Sequence, residues 1–337
     1  MPTVTIPNTS LQFFYTDTGA PATEEYATYI IVHGHSYHAA VFQRLSPLAN
    51  ERGVRLICVN RREYPGSTPH TAQELKVYAS GSHEERATLL REEGVNLAIC
   101  AAEIIQKYAL SSVTLVGWSL GNTFTMAVMA SIMSLPVQTQ LRIQASIKGI
   151  IIWDVPIEAL GIPCPPDFYL PLYDPELTPE ARGPVFSKWV QSYFNHPDIS
   201  SHDPAQLNYR THDPSKRRTF EDLPPAQFQE MTDHHASDKC DTILTKPPFA
   251  PIIAALVEQA LFNPDIRSAW NHPGVSYVVG EANPWSMHFA EWNIRERVKE
   301  SNGKTPISFT LLEGVNHFGM WDNPAEMLDV LIGCNKV

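Results

Sequence analysis

Long apolar runs are missing from this chain: nowhere do about eighteen apolar residues follow one another, so no segment reads as a membrane-spanning helix. Basic residues are scarce as well. With 25 Lys and Arg against 36 Asp and Glu, the net charge of −11 disfavours the clustered cations that nucleic-acid binding requires. Lys216-Arg217-Arg218 is the densest basic cluster, and beside Thr219 it reads as a solvated loop. Neither nucleic acid nor a membrane is therefore an expected partner. Cys58, Cys100, Cys164, Cys240 and Cys334 are odd in number and widely spaced, with no C-x-x-C pair, which suits reduced thiols inside a cell better than a disulfide framework. The Met1-Pro2-Thr3-Val4-Thr5-Ile6-Pro7 segment lacks the basic and apolar regions of a secretion signal, and Cys334-Asn335-Lys336-Val337 is no peroxisomal address. The cytosol is the expected compartment. Internal repeats and low-complexity segments are also lacking.

What is present suits a globular protein: 43% of residues are hydrophobic and 18% charged. At 337 residues the chain exceeds the usual single-domain size, so one core with a sizeable insertion, or two domains, is expected. Val4–Ile6, Leu11–Thr16, Ala27–Val32 and Val54–Val59 read as strands. The last two are nearly continuous apolar runs, as in central parallel strands buried on both faces. Ser82-His83-Glu84-Glu85 offers a capping box for a long helix to about Tyr108. The strand Val113–Val116 follows, then Gly117-Trp118-Ser119-Leu120-Gly121, and then a helical run through Phe124, Met126, Ala127, Val128 and Ala130 that ends before Pro136. A polar linker leads to a strand from about Ala145 to Trp153. Alternation resumes with a strand at Gly274–Gly280, a helix at Phe289–Glu300, a strand at Pro306–Leu312 and a closing helix at Asn323–Ile332. This order predicts an α/β protein with a doubly wound, mostly parallel sheet.

The proline-rich stretch between these halves has proline pairs at 165–166, 224–225 and 247–248 and no run suited to a central strand. It reads as a large inserted helical lid, giving a core of residues 1–154 and 274–337 and a lid of 155–273. Two apolar stripes mark helices in it: Val185, Phe186, Trp189, Val190, Tyr193 and Phe194, and a second opened by Pro251 through Ile252, Ile253, Leu256, Val257, Ala260 and Leu261. Either stripe could line a pocket, although packing on the core is the more ordinary role.

Three short segments carry chemistry. Gly117-Trp118-Ser119-Leu120-Gly121 fits G-x-S-x-G between a strand and a helix, where a sharp turn exposes a serine hydroxyl as nucleophile. His33-Gly34-His35-Ser36 follows a strand directly, a place from which the His35 backbone N–H could join that of Leu120 in stabilising an oxyanion. The His35 side chain is equally open to a pocket role or to none. Gly314-Val315-Asn316-His317-Phe318 follows another strand and places His317 as general base. His33, Gly34, Trp118, Trp153, Trp189 and Phe318 are expected to line the substrate pocket.

These segments, with Arg62-Glu63-Tyr64-Pro65-Gly66-Ser67, resemble the α/β-hydrolase superfamily across the core but not the lid. Within it, Asn60-Arg61-Arg62-Glu63-Tyr64-Pro65-Gly66-Ser67-Thr68-Pro69 and the proline-rich lid resemble hydrolases of fungal toxin and polyketide pathways. The resemblance implies a third residue, an acid, usually in a loop reading glycine, two residues, aspartate, proline. Here Gly280-Glu281-Ala282-Asn283-Pro284 puts an amide in that place. Haloalkane dehalogenases and lactonases of the same superfamily take the acid instead from the strand before the lid, where this chain has Asp154 after Ile150-Ile151-Ile152-Trp153. Asp154 is the favoured acid and Glu281 the alternative, although a strand-end aspartate could also merely cap the next turn.

No cofactor and no metal is expected. His202-Asp203-Pro204, His212-Asp213-Pro214 and Asp233-His234-His235 contain ligand types suited to zinc or iron, but there is no H-E-x-x-H, and Asp-Pro commonly starts a turn. The expected activity is that of a serine hydrolase acting on an ester, thioester or lactone of a small, largely apolar metabolite. The alternative is a lyase, cyclase or ligand-binding protein on the same fold, which the Asn283 substitution keeps open. Oligomeric state is not legible.

Overall fold

A computed structural model describes residues 2–165 and 168–334. Met1 and residues 335–337, read above for targeting signals, and Pro166 of the first proline pair lie outside the described residues.

Eight strands form one sheet: β1 (Thr3–Thr5), β2 (Gln12–Asp17), β3 (Ala27–Val32), β4 (Val54–Val59), β5 (Val113–Trp118), β6 (Ile147–Trp153), β7 (Gly274–Gly280) and β8 (Ser308–Leu312). Their order is β1-β2-β4-β3-β5-β6-β7-β8. β2 runs antiparallel to β1 and to β4, and every later pair is parallel. The apolar composition explains the placement: β4 and β5 are buried along their whole length and β3 nearly so, which a strand reaches only with helices on both faces.

The chain leaves β3 toward β4 on one side and returns to β5 on the other. A crevice therefore opens outside the carboxyl ends of β3, β5 and β6, where strand order reverses. His33, Ser119 and Asp154 each stand one residue beyond one of those ends.

Helix His83–Tyr108 opens with the expected capping box, in which Ser82 accepts from the Glu85 N–H and the Glu85 carboxylate accepts from the Ser82 N–H. Such a cap contributes about 1 kcal/mol. The stretch read as a polar linker is instead helix Val137–Ser146, so β6 begins at Ile147 and not near Ala145. Only Thr139, Ile143 and Ser146 of that helix are buried, and Gln140, Arg142 and Gln144 between them hide the period. The closing elements start at Trp285, one turn earlier than expected, and at Pro324.

Between β6 and β7 lie short helices. The first apolar stripe forms helix Pro179–Val190, which ends before Tyr193 and Phe194. The second forms Ala250–Val257, which continues as one π-helical turn to Phe262 and packs on helix Gly121–Ala130 of the core. Among the described residues no helix is long and apolar enough to cross a membrane.

Candidate active site

Ser119 sits between β5 and helix Gly121–Ala130 with φ 54°, in the left-handed region. That conformation costs a non-glycine residue about 1–2 kcal/mol and persists only where its surroundings enforce it. Here they do. The Ser119 N–H donates to Trp153 O (2.9 Å), and the Asn122 side-chain amide donates to both Ser119 O (2.9 Å) and Trp153 O (3.1 Å). Gly121 allows the helix to press against β3: a Cβ there would stand 2.2 Å from Val32 O. Leu120, which opens the helix, has one of the backbone N–H groups that a helix leaves without an internal partner.

His33-Gly34-His35-Ser36 lies beside this turn. A Cβ on Gly34 would come within 2.7 Å of Ser119 Cβ, contact that no rotamer change of the serine relieves. Were Ser119 the nucleophile of an esterase, Gly34→Ala would cut ester turnover by more than tenfold while leaving the melting temperature within a few degrees, since the clash falls on that side chain. Paired kinetic and thermal-melt measurements check this, and an alanine variant with wild-type turnover would contradict the packing.

A buried brace holds the loop. Arg61 donates from Nη1 and Nη2 to Asp241 (2.8 and 2.7 Å), from Nη2 to Gly34 O (2.9 Å) and from its backbone N–H to His33 Nε2 (3.0 Å). The Tyr64 hydroxyl donates to Asp241 Oδ2 (2.5 Å) and accepts from the Ser36 N–H (3.0 Å). Burial works to raise the Asp241 carboxyl, and the Arg61 guanidinium outweighs it and holds the group below the usual carboxylate range. This brace ties the loop after β3 to the segment between β6 and β7.

His317 lies on the loop after β8. Asn316 fixes that loop through Gln191 O (3.1 Å), Thr219 Oγ1 (2.8 Å) and the Phe318 N–H (3.0 Å). The Trp118 indole stacks on the imidazole at 4.9 Å and donates Nε1–H to His317 O (3.2 Å). Asp154 Oδ2 faces His317 Nδ1 at 3.8 Å, and Nδ1 has no hydrogen bond among the described residues.

Asp154 does not cap the following turn. Like Ser119 it has a positive φ, 45°. Its Oδ1 accepts from the Gly280 N–H (2.9 Å) and from Asn283 Nδ2 (2.5 Å), so the amide at the usual acid position is a donor to the carboxyl that faces His317. Glu281, the alternative acid, turns elsewhere: its Oε2 accepts the Gly314 N–H at 2.7 Å.

Burial disfavours charge on both partners, pushing His317 down to about 3 and Asp154 up to about 7, the latter partly offset by the Gly280 and Asn283 donors. For Asp154 the folded carboxyl lies above its unfolded value. The stability gained by burying it neutral is present at low pH and is lost as pH rises through about 7. Asp154→Asn is therefore expected to melt at or above the wild-type temperature at alkaline pH and to lose that margin in acid. Melting curves of both proteins across this range test it, and a variant destabilised equally at every pH would refute it.

A small cavity of about 30 Å³ adjoins Ser119 and Leu120, walled by His35, Phe186, Trp189, Val190 and Met287 among others. A second, about 200 Å³, lies beside helix Pro179–Val190, and His35, Leu172 and Phe186 line both. Thus the first apolar stripe of the insertion faces the cavity and the second packs on the core.

Of the six residues expected in the pocket, Trp189 lines the cavity. Gly34 abuts Ser119 without facing the cavity, and four others take structural places. His33 is sealed in the Arg61 brace, while Trp118, Trp153 and Phe318 are fully buried behind the Ser119 turn, where large rings fill the space between sheet and loops. The His35 ring bonds to Ser36 Oγ (2.7 Å) and Thr242 Oγ1 (3.1 Å) and also lines the cavity.

The three His-Asp motifs cap turns: Asp203 accepts the Ala205 N–H, Asp213 the Ser215 N–H and Asp233 the Ala236 N–H. Among the described residues no group of three or more His, Cys, Asp or Glu is placed to hold a metal.

A mostly parallel sheet with a strained serine after its fifth strand and a histidine after its eighth defines a class of α/β protein built around that crevice. The chain belongs to the alpha/beta hydrolase family, whose sequence profile matches residues 29–330. Among solved structures it is similar to potato (Solanum tuberosum) epoxide hydrolase I, with TM-score 0.52 and 13% identity over 98% of this chain and 97% of that one. It is also similar to an esterase from Exiguobacterium antarcticum (TM-score 0.48, 15% identity, 97% of each chain). A bromoperoxidase from Bacillus anthracis gives TM-score 0.49 and 14% identity over 100% of this chain and 99% of that one. At such identities the epoxide hydrolase likeness speaks for the fold alone. No curated protein matches, so the resemblance to fungal pathway hydrolases gains no support.

Proposed function

We propose that the protein is a carboxylic-ester-type serine hydrolase, cleaving an ester, thioester or lactone of a small, largely apolar metabolite through an acyl-enzyme on Ser119. The observation that carries this reading is a left-handed Ser119 after β5, next in sequence to the Trp118 ring that stacks on His317, together with Asp154 after β6 facing His317 Nδ1.

In this mechanism His317 Nε2 takes the Ser119 proton as Oγ attacks the acyl carbonyl, and the backbone N–H groups of Leu120 and His35 receive the oxyanion. The imidazolium then protonates the leaving alkoxide or thiolate, so the first product departs neutral. Water, deprotonated by His317, attacks the acyl-enzyme, and the proton returns to Ser119 as the acid leaves. Asp154 stabilises the imidazolium in both halves. The 3.8 Å separation suits a resting pair that draws together once charge develops.

Asn283 was the feature favouring a non-hydrolytic lyase, cyclase or binding protein. Its hydrogen bond to Asp154 gives it a place within the hydrolytic arrangement, and nothing else specifically favours the other reading. The cavity and the insertion above it, acting as a lid, suit a substrate with few polar groups.

Covalent labelling by a fluorophosphonate, read by intact mass and peptide mapping, tests the proposal. Modification at Ser119 together with turnover of a short-chain aryl ester supports it. A folded wild-type protein that neither labels nor turns over any ester would overturn it.

A further inference from the structure

Glu158 is an unexplained carboxyl at the edge of this site. It lies on the short turn Ile157–Leu160, four residues after Asp154, and borders the same cavity as Ser119. Its neighbours there are mostly apolar, Leu120, Leu170, Leu172, Val190 and Met287 among them. Its Oε1 is closed off from solvent and has no hydrogen-bond partner among the described residues. A carboxyl oxygen left unpaired in such surroundings costs free energy that a bound group can recover. The catalytic steps above make no use of it.

We infer that Glu158 selects for substrates bearing a hydroxyl group remote from the scissile carbonyl, on an otherwise apolar chain. This inference rests on the hydrolytic reading of Ser119 and adds a substrate class to it. A hydroxyl both donates and accepts, and so matches a carboxyl that burial pushes up to about 7, with one O–H and one C=O to offer. An ammonium group would have to shed its hydration to enter a small apolar cavity, a larger cost than a hydroxyl bears. Discrimination of this kind is strong in one direction: a buried polar group left unpaired by an analogue penalises that analogue far more than an apolar wall rewards an added methylene.

The test compares p-nitrophenyl esters of an ω-hydroxyalkanoyl series with the matched alkanoyl series, in wild type, Glu158→Leu and Glu158→Gln. Wild type is expected to favour the best hydroxylated ester over its alkanoyl match by on the order of tenfold in kcat/KM. Glu158→Leu should erase or invert that ratio while gaining on the alkanoyl esters, and Glu158→Gln, which keeps a donor and an acceptor, should retain part of it. Fluorophosphonate labelling of Ser119 in each variant shows that the nucleophile is intact. Binding supplies a readout independent of turnover: quenching of tryptophan fluorescence by α,ω-alkanediols against the matched alkanols. Should Ser119 prove unreactive while diols still bind better than alkanols only when Glu158 is present, the hydrolytic reading fails and the recognition role stands. Equal ratios in wild type and Glu158→Leu in both readouts overturn the inference.

Discussion

Ser119→Ala is expected to lower kcat/KM for a short-chain aryl ester by about 10⁵-fold or more and to abolish fluorophosphonate labelling, with no loss of fold. The size follows from the role proposed for the side chain: without Oγ no acyl-enzyme could form, and only oxyanion donors and binding would remain, which in a serine protease leaves ~10³–10⁴-fold over water. A second variant separates chemistry from folding. Ser119 holds φ 54°, so Ser119→Gly should be inactive yet more stable than Ser119→Ala, by up to about 1 kcal/mol, because glycine occupies that region without strain. Alanine keeps the strain and loses the hydroxyl. The measurements are single-turnover kinetics and denaturant melts on the three proteins. Residual turnover within about a hundredfold of wild type in both variants would mean that another group is the nucleophile.

The parts of this molecule legible in the sequence are those whose signal is local. Ala27–Val32, Val54–Val59 and Gly274–Gly280 have the bounds expected from their apolar runs, and the Ser82 capping box fixes the start of the longest helix to the residue. Strand ends in turn locate the loops that carry His35, Ser119, Asp154 and His317. Helix Val137–Ser146 escapes because its buried positions are few and its exposed Val137 and Leu141 blur the amphipathic period. Non-local pairing escapes altogether: Arg61 and Asp241 meet across 180 residues, and no spacing rule foretells that the brace of the loop after β3 comes from the insertion. The two stripes of the insertion are alike in pattern, so only their packing separates the cavity wall from the core. Asn283 was visible as a departure from the usual loop, yet its meaning needed Asp154 beside it. Glu158 gave a faint signal, an isolated acid in the otherwise apolar Val155-Pro156-Ile157-Glu158-Ala159-Leu160.

Asp154→Asn is the variant that most directly probes how this site departs from the usual loop. It is expected to lower kcat/KM by about 10⁴-fold, since an amide can orient imidazole but cannot stabilise imidazolium by charge. The proposed mechanism requires Asp154 ionised and His317 neutral, so kcat/KM should rise with pH through about 7 and then level off; the low value of His317, about 3, keeps its own limb out of the working range. The variant should lose the limb at 7. Adding Asn283→Asp to Asp154→Asn exchanges donor and acceptor across the 2.5 Å contact and returns a carboxylate to the site, from β7 instead of β6. Recovery of about tenfold or more in the double variant would show that the two strand ends are alternative seats for one acid. Asn283→Asp alone sets two carboxyls against each other, which must share a proton, so its activity limb should move to higher pH. If Asp154→Asn stays within about tenfold of wild type and keeps the limb, Asp154 is not the acid. Glu281 would then have to release the Gly314 N–H to reach His317, and its own removal becomes the decisive variant.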